Sequence, residues 1–308
     1  MEKKQKDLSG AWSATPTPLT QSLKIDKVSV KCMVKHHIRL NQKGIFIGGT
    51  CGEGPFLKRD EFRKLTATVT EANNSEMLIA VQVTDNSYDR VLDNIKAAKA
   101  DGVDLAIIAE PWFIGCIDNA DDMLNYYMKS IENSKLPIGI YSRGAKEVPV
   151  EFYKKILMHP NVRMFKDSSC NEQIMKIALD AAKKRKGLTL MTGFELGMPP
   201  ALKAGYTGIL AGGGILIGNL TNQMLEAAKE KNWDKVERLQ RYCDKINYAA
   251  YGGKKITSWL TGLKYALVQM SIFKTTSGYL NYPLSDATKK KIDAMIEKEK
   301  EILFPYKW

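Results

Sequence analysis

Three stretches of the chain repeat one order of events. RLNQKGIFIGG (39–49), AAKADGVDLAII (97–108) and ALKAGYTGILAGG (201–213) each leave a helix, pass Gly44, Gly102 or Gly205, and enter a short apolar segment. Glycine reaches the left-handed conformation that ends a helix without steric cost. Each apolar run is bounded by turn residues and does not alternate, which is how a parallel strand covered on both faces reads. Helix, glycine, strand is the second half of a βαβ unit. A chain that repeats it is confined to alternating α/β architectures built on a parallel sheet.

The same reading places apolar strands near 11–15, 45–48, 78–83, 104–108, 137–141, 162–166, 188–192 and 208–211. Segments of helical period lie between them at 26–41, 58–73, 87–100, 119–133, 149–158, 171–185 and 195–204, with Asp26, Asn119 and Asn171 as candidate N-caps. Eight alternating units over about 210 residues match a closed (β/α)8 barrel better than an open doubly wound sheet. Beyond residue 218 the strand signals stop, and 220–231, 233–250, 256–271 and 285–303 read as helices. The expectation is a catalytic barrel over 1–218, followed over 219–308 by its last helix and a C-terminal helical extension. In the tail TKKKIDAMIEKEKEIL, Ile292, Ile296 and Leu303 share one side while Lys and Glu mix on the other, the pattern of a solvated helix face.

The 308 residues are 44% hydrophobic and 26% charged, which excludes disordered and low-complexity classes. The net charge of +12 is compatible with acidic ligands, but no recognition helix or aromatic-interleaved basic strand accompanies it, so a nucleic-acid partner is not expected. The start MEKKQKDLSG lacks the apolar core of a signal peptide, and no apolar run is long enough to span a bilayer. The five cysteines are scattered, odd in number and without CxxC spacing, which fits neither a disulfide framework nor a thiolate zinc site. A soluble cytoplasmic protein without membrane contact is expected.

In a (β/α)8 barrel, chemistry belongs to the carboxyl ends of the strands and the loops after them. Those positions hold Gly48-Gly49-Thr50-Cys51-Gly52-Glu53-Gly54 after the second strand, Tyr141 at the end of the fifth, Lys166-Asp167-Ser168-Ser169 at the sixth, and Thr192-Gly193-Phe194-Glu195 at the seventh. Lys166 follows the apolar Val162, Met164 and Phe165, which sets its amine at the rim of a packed barrel. Desolvation there favours the uncharged, nucleophilic amine that imine chemistry requires. The plain alternative is one surface lysine among many. Tyr141 is either a proton shuttle for such a lysine or an aromatic plug at the barrel mouth. The small residues of GGTCGEG leave backbone N–H groups free to cradle an anion such as a carboxylate. No GxGxxG or P-loop is present, since GGKK at 252–255 lacks the upstream glycine and the following hydroxyl. His36 and His37 fall inside the first helix and read as packed residues, no metal-ligand cluster is visible, and Cys51 has no histidine partner at a strand end.

Together, Ala14-Thr15-Pro16-Thr17-Pro18-Leu19, the GGTCGEG loop, Tyr141, Lys166 and the Gly-rich 211–214 segment resemble the dihydrodipicolinate synthase/N-acetylneuraminate lyase superfamily, in order across almost the whole chain. The resemblance implies a Schiff-base class I aldolase barrel. It makes Lys166 the imine-forming lysine, Tyr141 the proton-transfer phenol, and Gly49, Thr50 and Cys51 the carboxylate cradle, with Thr50 also counted among the catalytic residues. Gly193, Glu195 and Gly212 would touch the distal part of the substrate, and Ser168 belongs to a strand end of the KDS type. It implies no cofactor beyond the covalent imine, no metal, a small 2-oxo acid as partner, and a homo-oligomer, dimer or tetramer.

The chain departs from authentic synthases at two places. Pro111-Trp112-Phe113 stands where they carry tyrosines, and Lys146 stands where they have an arginine, while Arg143 lies two residues beyond Tyr141. Tyr141-Ser142-Arg143 resembles the YxR of keto-deoxy-sugar-acid dehydratases. The expected function is therefore a lyase, aldolase or dehydratase acting on pyruvate or a longer 2-oxo acid such as a 2-keto-3-deoxy sugar acid or N-acetylneuraminate, with Arg143 or Lys146 opposite a second acidic group. The alternatives are a true 4-hydroxy-tetrahydrodipicolinate synthase, or a non-catalytic oxo-acid-binding or regulatory protein on the same barrel.

Overall fold

A strand buried on both faces gains apolar contact on each side and shows no polar alternation. Eight such strands form the centre of the computed structural model, which describes residues 6–111, 119–145 and 148–306. They are β1 (Gly10–Ala14), β2 (Gly44–Ile47), β3 (Leu78–Gln82), β4 (Leu105–Ala109), β5 (Ile138–Ser142), β6 (Val162–Asp167), β7 (Thr189–Thr192) and β8 (Gly208–Ala211). Each pairs in parallel with its neighbours in chain order, and β1 closes on β8. The fold is the expected (β/α)8 barrel with C-terminal helices.

Around the strands lie α1 (Lys27–Arg39), α2 (Arg59–Asn73), α3 (Tyr88–Ala100), α4 (Ala120–Glu132), α5 (Val150–Met158), α6 (Glu172–Lys184), α7 (Pro199–Ala204) and α8 (Gly214–Lys229). The chain continues in α9 (Trp233–Tyr251), α10 (Trp259–Gln269), α11 (Asp286–Lys298) and α12 (Lys300–Leu303). Asp26, Asn119 and Asn171 cap α1, α4 and α6, each side chain accepting from first-turn amides. Ile292 and Leu303 are buried as the tail pattern requires, and Ile296 packs against the same core.

Two helix starts differ most from the sequence reading, while α10 begins at Trp259 instead of 256. The seventh begins at Pro199 instead of 195, because the Pro199-Pro200 pair sets the first turn and the preceding residues build the strand-end loop. The eighth begins at Gly214 instead of 220, because the run Ile215-Leu216-Ile217 is fully buried helix and not a continuation of the strand. The glycine stops also divide. Gly102 and Gly205 have φ of +81° and +116° and end α3 and α7, but after α1 the left-handed residue is Asn41, and Gly44 opens β2. Gly44 is required for space: a Cβ there would lie 2.5 Å from the indole of Trp12, which fills the barrel axis. Gly208 gives way to Met191 in the same manner, at 2.1 Å. Large against small is how the interior reaches close packing.

The barrel interior holds Trp12, Phe46, Leu105, Ile107, Met164, Met191 and Leu210, while Val162, Phe165, Ile138 and Ile140 belong to the layer between strands and helices. One irregularity sets this order on β6. Ile138 pairs with Val162 but Gly139 pairs with Met164, so Arg163 is an extra residue bulged out of the ladder. Val162 faces the helices and Met164, two residues on, faces the interior.

Candidate active site

Past the bulge, alternation carries Phe165 outward and Lys166 inward. Lys166 is 5% exposed, and its Nζ lies 4.1 Å from the ring centroid of Tyr141 and 5.3 Å from that of Phe46. Tyr141 is the register partner of Lys166 across the β5–β6 ladder and packs edge-on against Phe46. No ion pair to Lys166 occurs among the described residues. Stretched to this position, the lysine passes Gly193, where a Cβ would stand 2.7 Å from Lys166 Cε and 2.2 Å from Ser168 Oγ. Gly193 thus acts on the lysine's own posture, a role that sequence reading did not assign. Ser168 Oγ is buried beside it without a hydrogen-bond partner among the described residues.

The loop after β2 is held by its glycines and by one acidic residue. A Cβ at Gly54 would overlap Gly48 O, one at Gly52 would meet Gly48 N at 2.8 Å, and one at Gly49 would meet the Phe46 ring at 2.6 Å. Thr17 Oγ1 donates to Gly52 O from the segment after the neighbouring β1. Glu53 adopts a left-handed conformation with φ of +54°, and its fully buried carboxylate accepts from Lys264 Nζ and from the amides of Tyr279 and Leu280. Lys264 also donates to Ser277 O at 2.8 Å. Neither Glu53 nor Lys264 was among the residues expected at the site. The available signal was a single lysine inside the apolar WLTGLKYALVQ.

Cys51 is buried in this loop with Sγ 3.9 Å from Gly212 O, and burial together with the nearby Glu195 pushes its thiol up to about 12. It stays protonated and is a small loop residue, as its lack of a histidine partner suggested. Thr50 is half-buried and lines a cavity of about 740 Å³ that opens between α2 and α3 and also touches Gly48, Glu110, Pro111 and Arg143. Arg143 reaches this cavity bound to the buried Glu110: Nε donates to Oε2 at 3.0 Å, the Arg143 amide donates to Oε1 at 2.9 Å, and Nη2 donates to Glu110 O. The guanidinium placed opposite a second acidic group is thus already opposite a protein carboxylate. Lys146, like Trp112 and Phe113, lies outside the described residues.

Glu195, in the loop after β7, accepts from Gly213 N and, at 2.8 Å, from Tyr251 OH. Burial pushes this carboxyl above its ordinary range, against the lowering effect of the Gly213 amide, the Tyr251 hydroxyl and Lys166. Gly212 lies against it, 3.3 Å separating a Gly212 Cβ from Glu195 Oε1. His36 and His37 are buried on α1, and among the described residues no group of His, Cys, Asp or Glu is placed to hold a metal.

A lysine and a phenol side by side at the carboxyl end of a closed barrel, beneath a glycine loop pinned from the C-terminal helices, is the arrangement against which known proteins can be compared. The family model described as the dihydrodipicolinate synthetase family matches residues 7–299. The chain belongs to that family. Among its relatives, the 4-hydroxy-tetrahydrodipicolinate synthase of Listeria monocytogenes serotype 4b is 27% identical over 241 residues, covering 76% of this chain and 80% of the relative. The enzyme of the same name from Leuconostoc mesenteroides is 23% identical over 290 residues, covering 93% and 97%. In fold the chain is similar to the dihydrodipicolinate synthase of Bacteroides thetaiotaomicron, with a TM-score of 0.85 at 22% identity over 96% of this chain and 100% of that one. It is also similar to CdNal from Clostridium difficile, solved with mannosamine, with a TM-score of 0.83 at 18% identity over 95% and 99%. Members of the dihydrodipicolinate synthetase family are lyases of the class I aldolase type that bind small 2-oxo acids, form a lysine Schiff base with the substrate and need no cofactor.

Proposed function

We propose that this protein is a lyase that binds a 2-oxo acid as an imine on Lys166 and breaks a bond at the adjacent carbon. The observation that carries the reading is the pairing of Lys166 with Tyr141 on neighbouring strands, the Nζ 4.1 Å from the ring centroid, both side chains buried at the strand ends. The amine adds to the keto carbon, and the carbinolamine loses its oxygen as water, with Tyr141 returning the proton. The protonated imine then takes up the electron pair released when the C3–C4 bond breaks or when C3 gives up a proton before β-elimination of hydroxide. After cleavage C3 is protonated, after elimination its electron pair has expelled hydroxide, and in either case hydrolysis of the imine releases the product and restores the amine. Gly49, Thr50 and Cys51 would hold the substrate carboxylate by their amides, which makes attack by Lys166 effectively intramolecular.

The substrate class that fits is a 2-keto-3-deoxy sugar acid or N-acetylneuraminate, cleaved to pyruvate or dehydrated. A second reading, 4-hydroxy-tetrahydrodipicolinate synthase, is favoured by the names of the curated relatives, whereas Pro111-Trp112-Phe113 stands where synthases carry a tyrosine. Borohydride reduction in the presence of pyruvate should fix mass on the peptide holding Lys166, and Lys166→Ala should lose both the adduct and turnover. A wild-type protein without adduct, or an alanine variant with full turnover, overturns the assignment. Pyruvate release from a panel of keto-sugar acids separates lyase from synthase, and an adduct without turnover of any would mark a binding protein. We further propose a homo-oligomer, dimer or tetramer, checked by light scattering. Family members are usually oligomeric, although one similar structure is described as a monomeric dihydrodipicolinate synthase variant.

A further inference from the structure

We propose that Gln82 is a further catalytic residue: its side-chain oxygen accepts from the hydroxyl of the carbinolamine on Lys166 and turns that hydroxyl toward Tyr141 for removal as water. The inference deepens the imine-lyase reading and rests on it.

In a closed barrel of eight tilted strands the interior is stacked in layers, each made by four side chains from alternate strands. The register assigns the layers here. Gly10 pairs with Gly208, Gly208 with Met191, Met191 with Lys166, Lys166 with Tyr141 and Tyr141 with Ala109, and this rung climbs by about one residue at each strand. Lys166 therefore lies level with Phe46, Ile107 and Leu210, apolar residues of the other even-numbered strands. One level nearer the mouth, the odd-numbered strands contribute Ala14, Gln82, Tyr141 and Gly193. Gln82 closes β3 and follows Ala80 on the inward parity.

In that upper layer Ala14 and Gly193 bring only a methyl group and a hydrogen, so the phenol and the amide stand at neighbouring corners beside an open space above the amine. Gln82 Oε1 is buried without a hydrogen-bond partner among the described residues, so neither Tyr141 nor Lys166 bonds to it. A buried acceptor without a donor is costly and rare, and an apolar side chain would fill the corner without that cost. The space is open to a ligand, since Gln82 also lines the cavity that reaches Thr50 and Arg143.

The missing donor is one that the reaction supplies. When Nζ adds to the keto carbon, the former carbonyl oxygen becomes a hydroxyl. Oε1 accepts its hydrogen, which leaves a lone pair of the same oxygen facing the phenol. Tyr141 gives that oxygen a proton as the C–O bond breaks, water leaves, and the nitrogen lone pair closes the C=N bond. Gln82 itself gains and loses no proton; it holds the leaving oxygen in the reactive geometry. Every 2-oxo acid presents the same keto carbon, so the contact serves the head of the substrate whatever its tail.

The test follows an isotopic label in the keto oxygen of pyruvate, which the full chain exchanges with water through the imine, by mass spectrometry above the background set by Lys166→Ala. Gln82→Leu should exchange at least about tenfold more slowly than wild type at saturating pyruvate. It should melt no lower than wild type, because an unsatisfied buried acceptor gives way to an apolar group of similar size. Should the leucine variant fail to fold, Gln82→Met carries the same two measurements. Undiminished exchange in a folded variant overturns the proposal and leaves Gln82 a packing residue. Wild-type exchange no faster than that of Lys166→Ala is the separate failure of the imine reading.

Discussion

Gly193 decides how far Lys166 can extend, because any Cβ there would collide with the lysine's own chain. Gly193→Ala should therefore displace the amine. We expect at least a tenfold slower borohydride trapping with pyruvate and a destabilisation of about 1–3 kcal/mol from overpacking, read by urea unfolding. Normal trapping in a folded variant would show that the lysine tolerates the extra carbon. His36 and His37 make a second prediction at this scale. Burial holds them down, to about 4 and about 3 against an ordinary 6.5, with His36 bonded to Ile215 O and His37 to Met33 O. Between those values and pH 6.5 the unfolded chain binds protons that the folded chain does not, so their stabilising effect is whole above about pH 6.5 and is lost as the pH falls. For His36 the loss is on the order of 3 kcal/mol. The slope of unfolding free energy between pH 6.5 and 4 should be shallower in His37→Leu than in wild type, and parallel slopes would refute this account.

Among the elements, the loop after β2 depends on a segment more than 200 residues away in sequence. Glu53 and Lys264 are both buried to within 1% exposure, and an ion pair so placed is costly to break from one side. Lys264→Met should destabilise the protein by about 3–5 kcal/mol, with Glu53→Gln in the same chain recovering part of the loss. Because the pair holds the loop that carries Thr50 and Cys51, the double variant should also need more pyruvate for half-maximal trapping. An unchanged requirement would make the pair purely structural. What the sequence disclosed follows from the same physics. The strands were legible because doubly covered strands are short continuous apolar runs, and Asp26, Asn119 and Asn171 because caps are local. Lys166 and Tyr141 were legible because each ends such a run. Glu53 with Lys264, and Arg143 with Glu110, were not, since a partner distant in sequence leaves no trace in periodicity. Gly44 was misassigned because glycine serves both for left-handed turns and for lack of bulk, and only the position of Trp12 distinguishes them.

At the scale of the whole molecule, the barrel and the C-terminal helices build the site jointly. α9 supplies Tyr251 and Gln240 to Glu195, α10 supplies Lys264 to Glu53, and the 279–280 amides complete that carboxylate's shell. Among the described residues no helix is long and apolar enough to cross a membrane. Arg163, the supernumerary residue of β6, leaves the parity of that strand intact because it is held out of the ladder. Excising it would straighten the ladder and leave Lys166 opposite Tyr141, whereas drawing it into the ladder would bring Phe165 level with the phenol and turn the amine toward the helical shell. A chain lacking only that arginine should therefore still capture a ketone, as read by borohydride trapping with pyruvate, and loss of the adduct in a folded variant would show that the kink itself aims the amine.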